Sequence, residues 1–259
     1  MSTTPAIIDI HVHHTWATFE EPPWALIEET LALAEAQGIR KIGLLGTYSY
    51  HGYDPTPEGI RACNTHAALI VKRYPEQVYS FCYLNPSHDP AFIRDELDRC
   101  VSELGMKGIK QWIAVNARDK RVDAVMEGAM RYQIPVLFHA WYKSTEYVYN
   151  ESTPADIRDL GLRFPEVPLI MAHLNGGGIR GFIDIQDLPN VLIDTSGSQP
   201  DAGFLEFAVE QLGAERVIFG SDAPIRDYSV QLAKVMGANI SPAARQQILV
   251  QNAVRLLNL

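Results

Sequence analysis

Three cysteines among 259 residues, Cys63, Cys82 and Cys100, are odd in number, far apart and never in a CxxC pair. That excludes a disulfide framework and a zinc knuckle and leaves buried free thiols as the expectation. Runs of Lys or Arg are also missing: 22 basic residues face 31 acidic ones, for a formal net charge of -9. Nothing in such a chain neutralises a phosphate backbone, so nucleic acid is not an expected partner. Apolar stretches such as residues 67–71 fall far short of the roughly 18 residues a membrane helix needs. The opening MSTTP has neither a basic nor an apolar leader region, and a strand-like run begins at Ile7, so a cytoplasmic protein is expected. Hydrophobic residues make up 47% and charged residues 20%, which is too apolar for an unstructured chain.

What the chain does contain is a series of alternating units. Eight short runs rich in Val and Ile occur at 7–12, 41–45, 78–84, 108–112, 136–139, 169–172, 191–194 and 217–220, each followed by helical signals. Thr56-Pro57, Asp89-Pro90, Thr153-Pro154 and Ser241-Pro242 each place an N-cap residue before a proline at the first helical position. Ile248, Leu249, Ala253, Leu256 and Leu257 form a core-facing stripe at helical spacing. Strands alternating with helices imply a parallel sheet covered by helices, and eight units in about 250 residues fit an α/β chain closed into a (β/α)8 TIM barrel. No linker or low-complexity tract interrupts the series, so residues 1–259 read as a single domain.

In such a barrel the chemistry gathers where strands end. The first run reads IIDIHVH, and a side-chain period of two puts Asp9, His11 and His13 on one face. The fifth run ends PVLFH at His139, the sixth ends PLIMAH at His173, the eighth runs VIFGSD into Asp222, and the fourth carries Lys110 in GIKQW. An HxH alone says little, since two solvated histidines look the same. Its weight comes from metal-competent groups at the ends of separate strands, which a barrel would gather around one divalent ion.

These segments, together with PEQVYSFCYLNP, PLIMAHLNGG, VIFGSDAP and the closing ILVQNAVRLLNL, resemble the amidohydrolase superfamily of metal-dependent hydrolases. Within it they resemble the short branch that includes the aminocarboxymuconate semialdehyde and resorcylate decarboxylases, over nearly the whole chain. The resemblance implies His11, His13 and Asp222 as metal ligands, His139 as the fourth, and His173 close by. One departure is Asn175, where relatives usually have Gly after "HL" or "HM". In dinuclear relatives a lysine at the place of Lys110 is carboxylated and bridges two metals, with His139 and His173 on the second ion. In the mononuclear branch it is only a neighbour, and one ion is the expectation.

Neutral imidazoles and one carboxylate suit Zn2+, with Mn2+ and Fe2+ compatible with the same set. Such an ion lowers the pKa of bound water from about 15.7 toward about 7. Asp222 would accept that proton and pass it to the leaving group, and His173 would polarise the scissile carbonyl. Asp9 is expected one layer below His11, fixing an imidazole tautomer.

Residues 176–181, GGGIRG, match the dinucleotide-binding G-x-G-x-x-G, follow a strand run and precede Asp194. Pro189 would cut that helix short, the unit is sixth rather than first, and a nucleotide site leaves HVH, His139 and Asp222 without a role. The glycines instead let the chain turn tightly above His173, where their amides can hold a substrate anion. Ser221 lacks the G-x-S-x-G elbow of a serine hydrolase. His14, His51, His66 and His88 fall in loops or helices, with His14 and His51 able to line a cleft mouth.

Trp112, Tyr142, Lys143, Tyr147, Arg180 and Arg226 follow strand ends as candidate substrate contacts, the two arginines able to fork onto a carboxylate. Residues 140–153 are the candidate lid. The expected activity is hydrolysis of a small, anionic carbonyl substrate (ester, lactone or amide). The alternative on the same scaffold is non-oxidative decarboxylation of a small aromatic or enoic acid. Decarboxylating relatives tend to be longer, so the chain's length leans toward hydrolysis. A barrel that binds metal without turnover is a third reading, and a homo-oligomer is compatible with all three.

Overall fold

A computed structural model describes residues 7–13, 21–46, 52–143, 145–197 and 201–259; His14, His51 and the side chain of Asn175 lie outside what it describes. The β-rich runs become strands β1 (Ile7–His13), β2 (Ile39–Leu45), β3 (Val78–Ser80), β4 (Cys82–Tyr83), β5 (Ile109–Gln111), β6 (Val136–Phe138), β7 (Leu169–Met171), β8 (Val191–Asp194) and β9 (Val217–Ile218). All pairings are parallel and follow chain order, β1 to β3 and β4 to β9.

β3 and β4 are halves of one strand, interrupted at Phe81. The Phe81 N–H reaches Leu44 O at 2.9 Å, whereas the Cys82 N–H turns to Gly108 O at 2.8 Å. Buried Asn64 accounts for the interruption. Its amide donates to Tyr83 O at 3.0 Å and accepts from Tyr83 N at 2.8 Å, taking the bonds that β2 would otherwise supply. The two outer edges also meet. Ile10 N–H donates to Phe219 O at 3.1 Å, Asp222 N–H to His11 O at 2.7 Å and His13 N–H to Ala223 O at 2.7 Å, with Val12 and Ala223 paired in parallel. The sheet therefore closes into a (β/α)8 barrel, one strand from each of the runs legible in the sequence.

Helices α1 (Trp24–Ala36), α2 (Pro57–Arg73), α3 (Pro90–Asp98), α4 (Asp123–Tyr132), α5 (Pro154–Arg163), α6 (Leu174–Ile185), α7 (Phe204–Leu212) and α8 (Tyr228–Met236) cover the strands, followed by α9 (Pro242–Gln246) and α10 (Asn252–Leu257). Thr56, Asp89, Thr153 and Ser241 each accept a backbone N–H as N-caps, and a proline follows every one. Among the described residues no helix is long and apolar enough to cross a membrane.

β1 departs from simple alternation. Its register against β2 shifts between Asp9 and Val12. Ile8 and Ile10 pack with Leu137, Ile170, Leu192 and Ile218, and of these Leu137 is level with Lys110 and Ile218 with Asp194 on the inner face. Ile7 and Val12 pack instead into the helix layer. The expectation that Asp9 stacks below His11 and fixes an imidazole is thus corrected. Its Oδ1 accepts the N–H of His11 and that of Ser221, both at 3.0 Å, pinning the irregular turn of β1 to the segment that closes the barrel.

Burial raises the Asp9 carboxyl to about 7, and Oδ2 has no partner among the described residues. A carboxyl whose pKa is higher folded than unfolded stabilises the fold at low pH, and that share is lost as pH rises from about 4 through 7. Asp9→Asn keeps an acceptor oxygen without the charge. In urea titrations of metal-free protein, wild type should therefore lose ground to the variant by on the order of a few kcal/mol across that window. A stability difference independent of pH would show that Asp9 is not a buried, unpaired carboxyl.

Candidate metal centre

At the rim where the strands end, a cavity of about 370 Å³ is walled by His11, His13, Lys110, Trp112, His139, Trp141, Lys143, Glu151, His173, Asp222 and Arg226, among others. His11 Nε2 lies 3.3 Å from His13 Nε2 and 3.5 Å from Asp222 Oδ1, and His13 Nε2 lies 3.1 Å from the same oxygen. All three residues are buried.

The neighbours fix which atoms carry protons. His11 Nδ1 is 2.6 Å from Asp194 Oδ2. Burial works against the Asp194 charge, but the charge and hydrogen bond of His11 outweigh it and hold the carboxyl far below its ordinary range. An ionised carboxylate only accepts, so His11 carries a proton on Nδ1, and Nε2 is the nitrogen left to meet a cation. His13 Nδ1 faces the Gly46 carbonyl at 3.4 Å and Nε2 the Asp222 carboxylate at 3.1 Å, and burial lowers the His13 pKa to about 4, so the ring is neutral and can offer Nε2 to a cation with its proton on Nδ1. Asp222 is ionised too: against the cost of burial, the His13 hydrogen bond and the surrounding imidazoles hold it far below the usual carboxylate range.

Without a cation the contact of His13 Nε2 with Asp222 Oδ1 is a hydrogen bond; a divalent ion would take the place of that proton and be met by all three donor atoms. Ligand bonds of about 2.0–2.2 Å in tetrahedral or octahedral geometry place donor atoms roughly 3.0–3.5 Å apart, the spacing found here. The residues fit a divalent ion, and His11, His13 and Asp222 form a group whose ligand atoms all lie within 4.8 Å of one another.

Backbone geometry serves the same end. His173 and Asp222 both hold left-handed backbone, with φ of 75° and 66°. That strain persists because His173 N–H is tied to Asp194 Oδ1 at 2.9 Å and Asp222 N–H to His11 O. Gly220 permits the close approach: a Cβ there would lie 2.9 Å from His11 Cβ and 3.3 Å from Asp194 Cβ. Gly178, inside α6, has φ of 55° and kinks the helix that follows His173.

His139 stands outside the three-atom cluster. Its Nε2 is 2.9 Å from Glu151 Oε1 and its Nδ1 is 3.1 Å from His173 Nε2, while His173 Nδ1 is 2.9 Å from Ser196 Oγ. Despite burial, bonds from His139, Lys143 and the Val148 N–H hold Glu151 at about 2, so Glu151 accepts and His139 is protonated on Nε2. Burial lowers the pKa of both His139 and His173. The ring nearer the cluster is that of His173, 5.4 Å from His11 between centroids. Lys110 is 2% exposed, and its ammonium makes no ion pair or hydrogen bond among the described residues. Burial lowers it to about 8, against the pull of Asp194 and Asp222.

Of the candidate substrate contacts, Trp112, Lys143 and Arg226 line the cavity, whereas Tyr142, Arg180 and Tyr147 are not among its walls. The Tyr142 N–H bonds Gly176 O at 2.7 Å, its hydroxyl bonds Asp184, and the Arg180 guanidinium stacks on its ring at 4.8 Å. The pair braces the segment around Tyr142 against α6. That segment, expected as a lid, is bridged at its ends by Ala140 and Ser152, and it supplies Trp141, Lys143, Val148 and Glu151 as one wall. Sequence reasoning missed Trp141, Glu151, Ser196 and the structural part of Asp194. Only Asp194 carried a signal: it ends β8 much as His173 follows β7.

The sequence profile of the family described as Amidohydrolase matches residues 8–259. No curated protein matches the chain in sequence. Solved structures share its fold. 5-Carboxyvanillate decarboxylase from Sphingomonas paucimobilis superimposes with a TM-score of 0.79 at 17% identity, over 99% of this chain and 100% of that one. Dihydroxybenzoic acid decarboxylase from a Polaromonas species, with bound manganese and the inhibitor 2-nitroresorcinol, gives 0.78 at 18%, over 98% and 97%. 4-Oxalomesaconate hydratase from Rhodopseudomonas palustris gives 0.74 at 18%, over 97% and 95%.

Asp194→Asn removes the anion that sets the His11 tautomer, and Gly220→Ala crowds the same ring. Each should weaken zinc or manganese binding about 10- to 100-fold in calorimetric titration. Wild-type affinity in both would separate Asp194 and Gly220 from the centre.

Proposed function

The chain belongs to the amidohydrolase family, and from that membership we propose that it is a metal-dependent, non-oxidative decarboxylase of a small aromatic or enoic acid. The observation that carries the proposal is the convergence of His11 Nε2, His13 Nε2 and Asp222 Oδ1 in a cavity flanked by Trp112 and Trp141 and supplied with cations by Lys110, Lys143 and Arg226. Aromatic walls suit a flat substrate, and the cations suit an anionic one. Two fold relatives are decarboxylases of aromatic acids, one of them solved with manganese. Their chains are matched over 97–100% of their length, so size does not favour hydrolysis over decarboxylation.

His11, His13 and Asp222 would hold Zn2+, Mn2+ or Fe2+, with His139 available as a further ligand only by giving up one of its present partners. Such an ion supplies a Lewis acid for an anionic oxygen of the substrate. Loss of CO2 leaves an electron pair on carbon that must receive a proton. Asp222, held ionised, takes a proton from the substrate's hydroxyl or from water and returns it to that carbon. Neutral His173, fixed between Ser196 and His139, orients the departing carboxyl. Lys110 stands in this scheme as a cation beside the ion and not as a carboxylated bridge between two metals.

Protein loaded with manganese or zinc should release CO2 from hydroxylated benzoates or enoic acids and leave lactones, esters and amides intact. Asp222→Asn should lower kcat by about 10²–10⁴-fold, and His11→Ala should lose the ion in metal analysis. Turnover of lactones or amides without CO2 would replace decarboxylation by hydrolysis, and a His11→Ala variant that keeps its metal would remove the ligand assignment.

A further inference from the structure

The walls of the cavity are buried at its floor and open at its rim. His11 and His13 are 0% and 7% exposed, whereas Tyr53, on the connection between β2 and α2, is 44% exposed. Tyr53 therefore stands at the mouth. Its ring packs edge-on against Trp112, which follows β5, at 5.2 Å between centroids, and lies against Tyr149, which follows β6, at 5.8 Å. The connections after β2, β5 and β6 thus meet in one aromatic cluster on the rim.

The seat of that cluster is fastened. Asp54 Oδ1 accepts from Asn85 Nδ2 at 2.6 Å and from Ser87 Oγ at 2.8 Å, and the Tyr149 hydroxyl donates to the same carboxylate. Against the cost of partial burial, those bonds hold the Asp54 carboxyl below its ordinary range. Asn150 Nδ2 bonds Ala114 O at 2.8 Å and the Val148 N–H bonds Glu151 Oε2 at 2.7 Å, which fixes the chain on both sides of Tyr149. Between those anchors Tyr149 keeps left-handed backbone, with φ of 55°, at a position 53% exposed. A bulky residue holds such strain only where its surroundings impose it, and the result here is a ring presented to Tyr53.

Tyr53 itself is tied far less. Its side chain makes these ring contacts but no hydrogen bond or ion pair among the described residues. The residue before it, Gly52, has φ of 67° and open space where a Cβ would lie. Two ring contacts on a half-exposed side chain beside a glycine break and re-form readily.

We propose that Tyr53 is a gate: seated on Trp112 and Tyr149 it narrows the entrance, and swung outward beside Gly52 it admits a flat ligand to the floor of the cavity. The gate rests on the geometry of the mouth alone and is independent of the reaction that follows.

Diethyl pyrocarbonate, which modifies neutral imidazole, measures the entrance in metal-free protein. The rates at His139 and His173 are read residue by residue by mass spectrometry, with His66 on α2 as the reference outside the cavity. Tyr53→Ala should raise the rate at both residues about 10- to 100-fold, the worth of two aromatic contacts, and leave His66 unchanged; Tyr53→Phe, which keeps both contacts, should stay within about twofold of wild type. In a Tyr53→Cys/Tyr149→Cys protein, a short cleavable thiol cross-linker should join the two positions and slow His139 and His173 about 10-fold or more, and cleavage by reductant should restore the rate. Cys63, Cys82 and Cys100 are buried, so wild type should not react with the cross-linker. Equal rates at His139 and His173 in wild type and Tyr53→Ala, or rates that the bridge leaves unchanged, overturn the gate. Failure of the cross-linker to join the two positions overturns the contact on which it rests. If Tyr53→Ala unfolds, seen as faster modification of His66 as well, the bridged protein decides. Neither metal nor substrate takes part, so loss of the gate leaves the decarboxylase reading in place, and absence of CO2 release removes that reading and leaves the gate.

Discussion

Two imidazole nitrogens and a carboxylate oxygen are held within 3.5 Å of one another, and much of the surrounding structure works to keep them there. Asp194 holds the His11 ring by its far nitrogen, and Gly46 O does the same for His13. Gly220 removes the side chain that would keep β9 and β1 apart. The strained backbone of Asp222 and His173 is anchored to His11 O and to Asp194. The cost of burying these polar groups and of the strained backbone is borne by packing elsewhere, in the apolar layer between strands and helices and in the smaller cluster inside the barrel.

The same few anions organise the wider network. A series of close polar contacts runs from Lys143 through Glu151, His139, His173 and Ser196 to Asp194 and His11. Asp194 occupies the junction, touching His11, Ser196 and the main chain of His173.

The architecture was legible because its signals are local. Proline after an N-cap residue marks Thr56, Asp89, Thr153 and Ser241 as helix starts, and every one of those caps is present. The residues that end or follow strands stood out for the same reason, and the barrel brings His11, His13 and Asp222 together from its two edges. What depended on a single displaced residue was not legible. Period-two alternation assigns Asp9 to the face of His11, and one shift of register in β1 removes it. Glu151 and Trp141 sit on a connection with no period to betray them, and Tyr142 and Arg180 found each other on α6 because a backbone bond to Gly176 turns that segment. Asp194 shows a different limit: its position at the end of β8 was visible, but the partner that gives it meaning, His11, is 183 residues away.

The barrel's seam has a consequence for how the protein comes to exist. The contacts that close the barrel, Asp222 to His11 and His13 to Ala223, are also the ones that assemble the donors, although 209 residues separate His13 from Asp222. A growing polypeptide therefore carries its first two histidines through nearly the whole of synthesis without the carboxylate that completes the trio. Closing the cylinder and bringing the three donor atoms together are one event, so a chain lacking its final turn of sheet leaves His11 and His13 without their carboxylate neighbour.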